Sequence, residues 1–248
     1  MVPRLSPRAF VSLACALYVC GFAWPNTNPQ AKSAVALLEA RYRPARTLQA
    51  TFLERYTENG RLTRVETGTA FFLRPGKMRW EYESPEKNLF LVDGKMAWFY
   101  VPADHTATRV PARQSSDWRT PLALLAGEMK VSRICARVLP TSAENSETPG
   151  NTMLSCALRG EKSGDNNSPA PAAATPTSSQ TVFFEVAKDT GDLVRVLVRD
   201  PGGVGLEFRF ANWQVNPALS DALFRFLPPT GVAIVNGELP SVQNQVKP

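Results

Sequence analysis

The chain has 248 residues, of which 44% are hydrophobic, enough for a real core and too many for a wholly disordered protein. Its formal charge is +6, and its basic residues are scattered singly. That pattern describes a solvated polar surface and argues against a nucleic-acid footprint.

Residues 1–23 read as a secretory signal peptide. Arg4 and Arg8 form a basic start, and Phe10 to Val19 form an apolar stretch too short to span a bilayer. Gly21-Phe22-Ala23 offers small residues at the cleavage positions, so the cut is expected after Ala23. Loss of the two arginines leaves a mild charge of about +4. The rival reading is lipidation at Cys20, which Tyr18-Val19 fits poorly. An exported, soluble domain over 24–240 should follow, with a flexible tail at 241–248.

Ala31, Val35, Leu38 and Tyr42 recur at helical spacing, and Pro44 lies just past the stop. Thr47 to Tyr56 alternates as a strand, with Leu48, Ala50, Phe52 and Tyr56 on one face. Glu58-Asn59-Gly60 turns it into a second strand over Leu62 to Leu73. Four short β-type runs then span Phe71 to Pro102, joined at Arg74-Pro75-Gly76, Ser84-Pro85-Glu86 and Asp93-Gly94. Turns this tight demand antiparallel neighbours, because parallel ones need long crossovers. Met78, Trp80 and Tyr82 share one face, whereas Lys77, Arg79, Glu81 and Glu83 share the other. The run Met96 to Val101 is apolar on both faces. His105 to Val110 reads as one more short strand.

Thr120 to Gly127 reads as a short apolar helix, with Thr120 as N-cap, Pro121 at its first position and Gly127 as its stop. So short a helix must pack on something, and a cover over the aromatic face suits Leu122, Leu124 and Leu125. Lys130 to Val138 and Thr152 to Gly160 read as strands flanking a polar stretch centred on Asn145-Ser146. A hairpin folded there brings Cys135 and Cys156 together, as a disulfide or as two buried thiols, and export makes the disulfide the expectation. Residues 163–179, rich in Pro, Ala and Ser, read as a disordered insertion. Strands follow at Val182-Phe184-Val186, Val194-Val196-Val198 and Leu206-Phe208-Phe210.

Three motifs stand in order along this chain. They are Arg74-Pro75 to Trp80 with Ser84-Pro85 and Asp93-Gly94 to Trp98-Phe99-Tyr100; Thr120-Pro121-Leu122-Ala123-Leu124-Leu125; and Phe224-Arg225-Phe226-Leu227-Pro228-Pro229-Thr230-Gly231-Val232. Together they resemble the periplasmic lipoprotein carriers of the LolA family, over about residues 30 to 235. The resemblance implies a mainly β fold with short helices: an incomplete, strongly bent antiparallel β-barrel under a helical lid. It implies that Arg74 reaches lid carbonyls and helps hold the lid shut. It places Met78 at an apolar rim, and implies acylated lipoproteins as cargo, a lipoprotein-releasing ABC transporter at the inner membrane and an outer-membrane acceptor. A monomer without cofactor or metal is expected.

The residues themselves leave two readings of the aromatic face. Met78, Trp80, Leu89, Leu91, Met96, Trp98, Phe208 and Phe210, with Leu122 and Leu125 from the lid, either line a cavity for acyl chains or form an ordinary core. The resemblance favours the cavity. A lipid-sensing periplasmic regulator on the same half-barrel and the lipidated outer-membrane acceptor are the alternatives. A catalytic reading finds little: the lone His105 sits in a turn, and Glu81 and Glu83 are read better as solvated strand carboxylates than as an acid and a base.

N-terminal sequencing and mass measurement of exported protein are expected to find a chain starting at Trp24. Acylated Cys20 would overturn this and favour the acceptor.

Overall fold

The computed structural model describes residues 29–112, 123–127, 130–159, 180–237 and 239. The leader, Thr120 to Leu122, the insertion at 163–179 and the tail at 241–248 lie outside them. The chain runs α1 (Pro29–Tyr42), β1 (Thr47–Glu58), β2 (Arg61–Leu73), β3 (Lys77–Ser84), β4 (Leu89–Val92), β5 (Met96–Val101) and β6 (Thr106–Pro111). It continues through α2 (Ala123–Ala126), α3 (Val131–Ile134), β7 (Cys135–Pro140), β8 (Thr152–Leu158), β9 (Thr181–Val186), β10 (Leu193–Arg199), β11 (Val204–Val215) and β12 (Ala233–Asn236). No helix among the described residues is long and apolar enough to cross a membrane.

All the strands join one open sheet in the order β12-β6-β5-β4-β3-β2-β1-β11-β10-β9-β8-β7. Its neighbours are antiparallel except β12, which pairs with β6 in parallel. The sheet is strongly curved. Trp80 on β3 and Phe208 on β11 stand three strand spacings apart, about 14 Å on a flat sheet. Their ring centroids are 5.4 Å apart, so the sheet curls around this face.

The inner face alternates as the sequence indicates. Leu48, Ala50, Phe52 and Tyr56 on β1 meet Ala70 and Phe72 on β2, and Met78, Trp80 and Tyr82 on β3. Small residues make room for the large ring: Ala70 lies opposite both Ala50 and Trp80, and Gly68 is opposite Phe52. A Cβ on Gly68 would stand 1.9 Å from the Glu81 carbonyl oxygen, so the strand irregularity there requires glycine. Three helices cover this face with Ala31, Ala34, Leu38, Tyr42, Leu125, Ala126 and Val131.

The outer face has its own cover. After β11 the chain crosses beneath β3–β6 as a strap. Lys77 pairs with Asp221 at 2.6 Å, and Arg79 donates to the Leu223 carbonyl at 3.1 Å. Phe224 is fully buried, and Phe226 packs on Trp98 and Tyr100 with centroids 5.1 and 5.5 Å apart. The strap then adds β12 to the edge strand β6. Farther along the same face the loop 141–151 closes over β9 and β10. Glu185, fully buried, accepts from the Glu147 and Thr148 amides, from Asn151 Nδ2 and from Arg195 Nε at 3.0 Å.

Two local expectations are corrected. Val131 to Ile134 forms a helical turn, and the strand begins only at Cys135. On β10 a register shift sets Leu193 opposite Val186 and Arg195 opposite Glu185, so Val194 does not share the alternation of Val196 and Val198. The Cys135–Cys156 disulfide is present, with Cα atoms 5.4 Å apart. The strands pair Val138, not Cys135, with Cys156, so the bridge runs diagonally from the end of α3 into β8.

This bridge closes a loop worth about 3 kcal/mol in the chain-entropy account. Cys156→Ala is expected to lower stability in urea by about 2–4 kcal/mol under oxidising conditions. Under reducing conditions the difference between variant and parent should shrink. An equal loss in both would show a packing effect instead.

Candidate lipid-binding face and its cover

The register divides the expected cavity residues between two faces. Met78 lies opposite Val92 and Trp80 opposite Phe90; these in turn lie opposite Ala97 and Phe99. Directly paired residues share a face. Phe90, Val92, Ala97 and Phe99 therefore join Met78, Trp80, Phe208 and Phe210 on the inner side. Leu89, Leu91, Met96 and Trp98 point outward, and the expectation that they line the same cavity is corrected. Leu91 and Trp98 are buried there beside the strap, and Arg109 stacks over Trp98 with its guanidinium carbon 5.4 Å from the centroid. The physical reason is that β4 and β5 are covered on both sides, so both of their side-chain sets are apolar.

The inner aromatics form one connected group. Trp80 meets Phe52, Phe72, Phe208 and Phe210 with centroids 4.8 to 6.0 Å apart, all at edge-type angles. Trp213 bridges Phe72, Phe210 and Tyr42. Leu125 of the cover is fully buried against this group, while Leu122 lies outside the described residues. Among the described residues these side chains pack into one buried cluster. Two surface recesses of about 440 and 470 Å³ are lined by other, largely polar residues, among them Thr141, Glu144 and Asn151 in one and Arg55, Arg199 and Asp200 in the other.

Two polar features interrupt the apolar face. The Trp80 indole nitrogen is buried with no acceptor among the described residues, an arrangement that costs about 1–3 kcal/mol. Next along β3, the Tyr82 hydroxyl donates to Glu54 at 2.8 Å, and Glu54 is only 1% exposed. Sequence reading missed Glu54, because its place on an alternating strand marks it only as a polar residue at an inward position.

Arg74 fastens the cover. A helix leaves its last carbonyls without internal partners. Arg74 Nη1 donates to the Tyr42 carbonyl at 2.6 Å, the Ala45 carbonyl at 2.8 Å and the Arg43 carbonyl at 3.3 Å, closing the C-terminal end of α1. Its Nε donates to the Leu125 carbonyl in α2 at 3.0 Å. The Gly76 amide takes the next carbonyl, Ala126, at 2.8 Å, and the positive φ of Gly76 permits the turn that aims it. Partial burial draws the guanidinium below the usual arginine range. Two further contacts steady α1 and α3: the Tyr42 hydroxyl accepts from the Leu193 amide at 2.9 Å, and Glu39 accepts from the Val131 amide at 2.9 Å. Burial raises the Tyr42 phenol far above its ordinary range, so it stays neutral.

The family model for the outer membrane lipoprotein carrier protein LolA matches residues 43–147, which include Arg74, the aromatic meander and α2. The outer-membrane lipoprotein carrier protein of Nitrosomonas europaea is 30% identical over 208 residues, 84% of this chain and 91% of that relative. The chain belongs to the LolA family. The carrier of the same name from Dechloromonas aromatica is 31% identical over 193 residues, covering 77% of this chain and 81% of its own. That of Chromobacterium violaceum is 29% identical over 231 residues, covering 92% and 98%. LolA-family proteins are non-enzymatic carriers. The carboxylates considered for catalysis serve the outer face here: Glu81 pairs with Arg79 at 2.6 Å, and Glu83 accepts from Thr69 at 3.1 Å.

Arg74→Leu is expected to free α2 without melting the sheet. Each lost charge-assisted bond is worth about 1.5–3 kcal/mol before allowance for solvent. Hydrogen exchange at the Gly76 amide should accelerate at least about tenfold, while amides between β1 and β2 stay protected. Unchanged exchange at Gly76 would remove Arg74 from the fastening role.

Proposed function

We propose that this LolA-family chain shelters the acyl chains of lipoproteins against the inner aromatic face and carries them from the inner to the outer membrane. The observation that carries the reading is the cover. Three helices lie over the apolar face, and one of them, the single turn α2, is held among the described residues by Arg74 on the Leu125 carbonyl and the Gly76 amide on the Ala126 carbonyl. A core meant to stay shut needs no such detachable fastening. Lifting α2 exposes Leu125, Ala126 and the aromatics together, and acyl chains replace those contacts at about 0.8 kcal/mol per buried methylene.

The cycle is one of binding and release. LolA-family carriers are periplasmic, and this chain is proposed to work there after loss of its leader. It receives cargo from a lipoprotein-releasing ABC transporter and yields it to an outer-membrane acceptor. Closure of the cover competes with cargo for the same face, which limits affinity and lets an acceptor draw the cargo off. Arg74 sets that competition, and Met78 is buried on the inner face opposite Phe72 and Val92. Met78, Trp80, Leu125, Phe208 and Phe210 supply the apolar contact.

Protein purified without detergent is expected to bind a diacylated lipopeptide, seen as a one-to-one complex by native mass spectrometry. The same peptide without acyl chains should not bind. Equal binding of the two forms would end the reading.

A further inference from the structure

Trp80 is more than the aromatic face requires. On the inner face Trp80 stands opposite Ala70, with Phe52, Phe72, Phe208 and Phe210 around its ring. Phenylalanine would supply that apolar contact without a buried donor. Tryptophan brings one, and its nitrogen has no acceptor among the described residues. Buried donors are almost always paired, so an unpaired one at the centre of a binding face calls for a partner outside the closed protein. The position along β3 indicates which. Met78 is the next inward residue on one side, beside Phe72. Tyr82, bonded to the buried Glu54, is the next on the other. Trp80 therefore stands where the face changes from apolar to polar.

We propose that the Trp80 Nε1–H donates to a carbonyl oxygen of the ester or amide that joins an acyl chain to its carrier, and so sets how deep the cargo sits. This rests on the acyl-carrying reading above. At this depth the hydrocarbon lies against Met78 and Phe72, and the polar stem lies beside Tyr82 and Glu54. The bond is neutral and involves no proton transfer. It distinguishes acyl from alkyl chains, because only an acyl linkage brings a carbonyl.

The test uses two synthetic probes: a dipalmitoyl-glyceryl cysteine lipopeptide and its dihexadecyl ether counterpart, which has the same chain length and no ester carbonyl. The wild-type protein is expected to bind the ester about fivefold more tightly, the worth of one net hydrogen bond. Trp80→Phe should lose the preference and bind the two probes equally. In ¹⁵N-tryptophan-labelled wild type, the Trp80 indole proton should move downfield with the ester and not with the ether, a readout that needs no variant to fold. Equal wild-type affinity for ester and ether, with no selective indole shift, overturns the donor role and leaves acyl carriage intact. Binding of neither probe would overturn both.

Discussion

The cover over the inner face hangs on carbonyl groups, and Arg74 gathers them from α1, the turn after it and α2. Neither helix end is self-sufficient. The last turn of α1 has acceptors with no helical donor, and α2 is too short to persist in water by itself. A planar guanidinium with several donors and no acceptor satisfies both ends at once. Lysine would bring the charge without the fork, so the geometry depends on arginine. Because the contacts run to backbone atoms, the side chains that face the aromatics remain free to adapt.

The two faces of the sheet are held in different ways. Behind it, Glu185 and Arg195 are enclosed by the loop 141–151, and the strap fixes itself to Lys77, Arg79 and Trp98. Those contacts are many, buried and partly charged, which makes that side costly to open. In front, short helices lie on hydrocarbon and are pinned at a few points. Local opening follows the weaker side. The back of the sheet thus carries the denser set of buried polar contacts, and the disulfide ties the end of α3 to β8.

Much of this was legible in the sequence. The tight turns gave the meander, the alternation of Met78, Trp80 and Tyr82 gave a true inward face, and the two cysteines gave a true bridge. What failed was the relative phase of β4 and β5. Alternation assigns a face only when one side meets water, and Leu89 to Val92 and Met96 to Val101 meet protein on both. The strap that buries Trp98 comes from more than 100 residues downstream, and no local pattern announces it. The helical turn at Val131 was hidden for a related reason, since a short apolar run has no period that separates helix from strand. Glu54 was passed over because its partner, Tyr82, is supplied by a strand two positions away in the sheet.

The strap also imposes an order of events on the newborn chain. The strands β2–β6 are complete by residue 111, yet the Phe226 ring that packs on Trp98 and Tyr100 is supplied more than 100 residues later. In the interval the first half is a sheet with one greasy back and an unpaired edge at β6, which is the profile of an aggregation-prone intermediate. β1 likewise waits for β11, its partner about 150 residues later. Contacts so distant in sequence make folding slow.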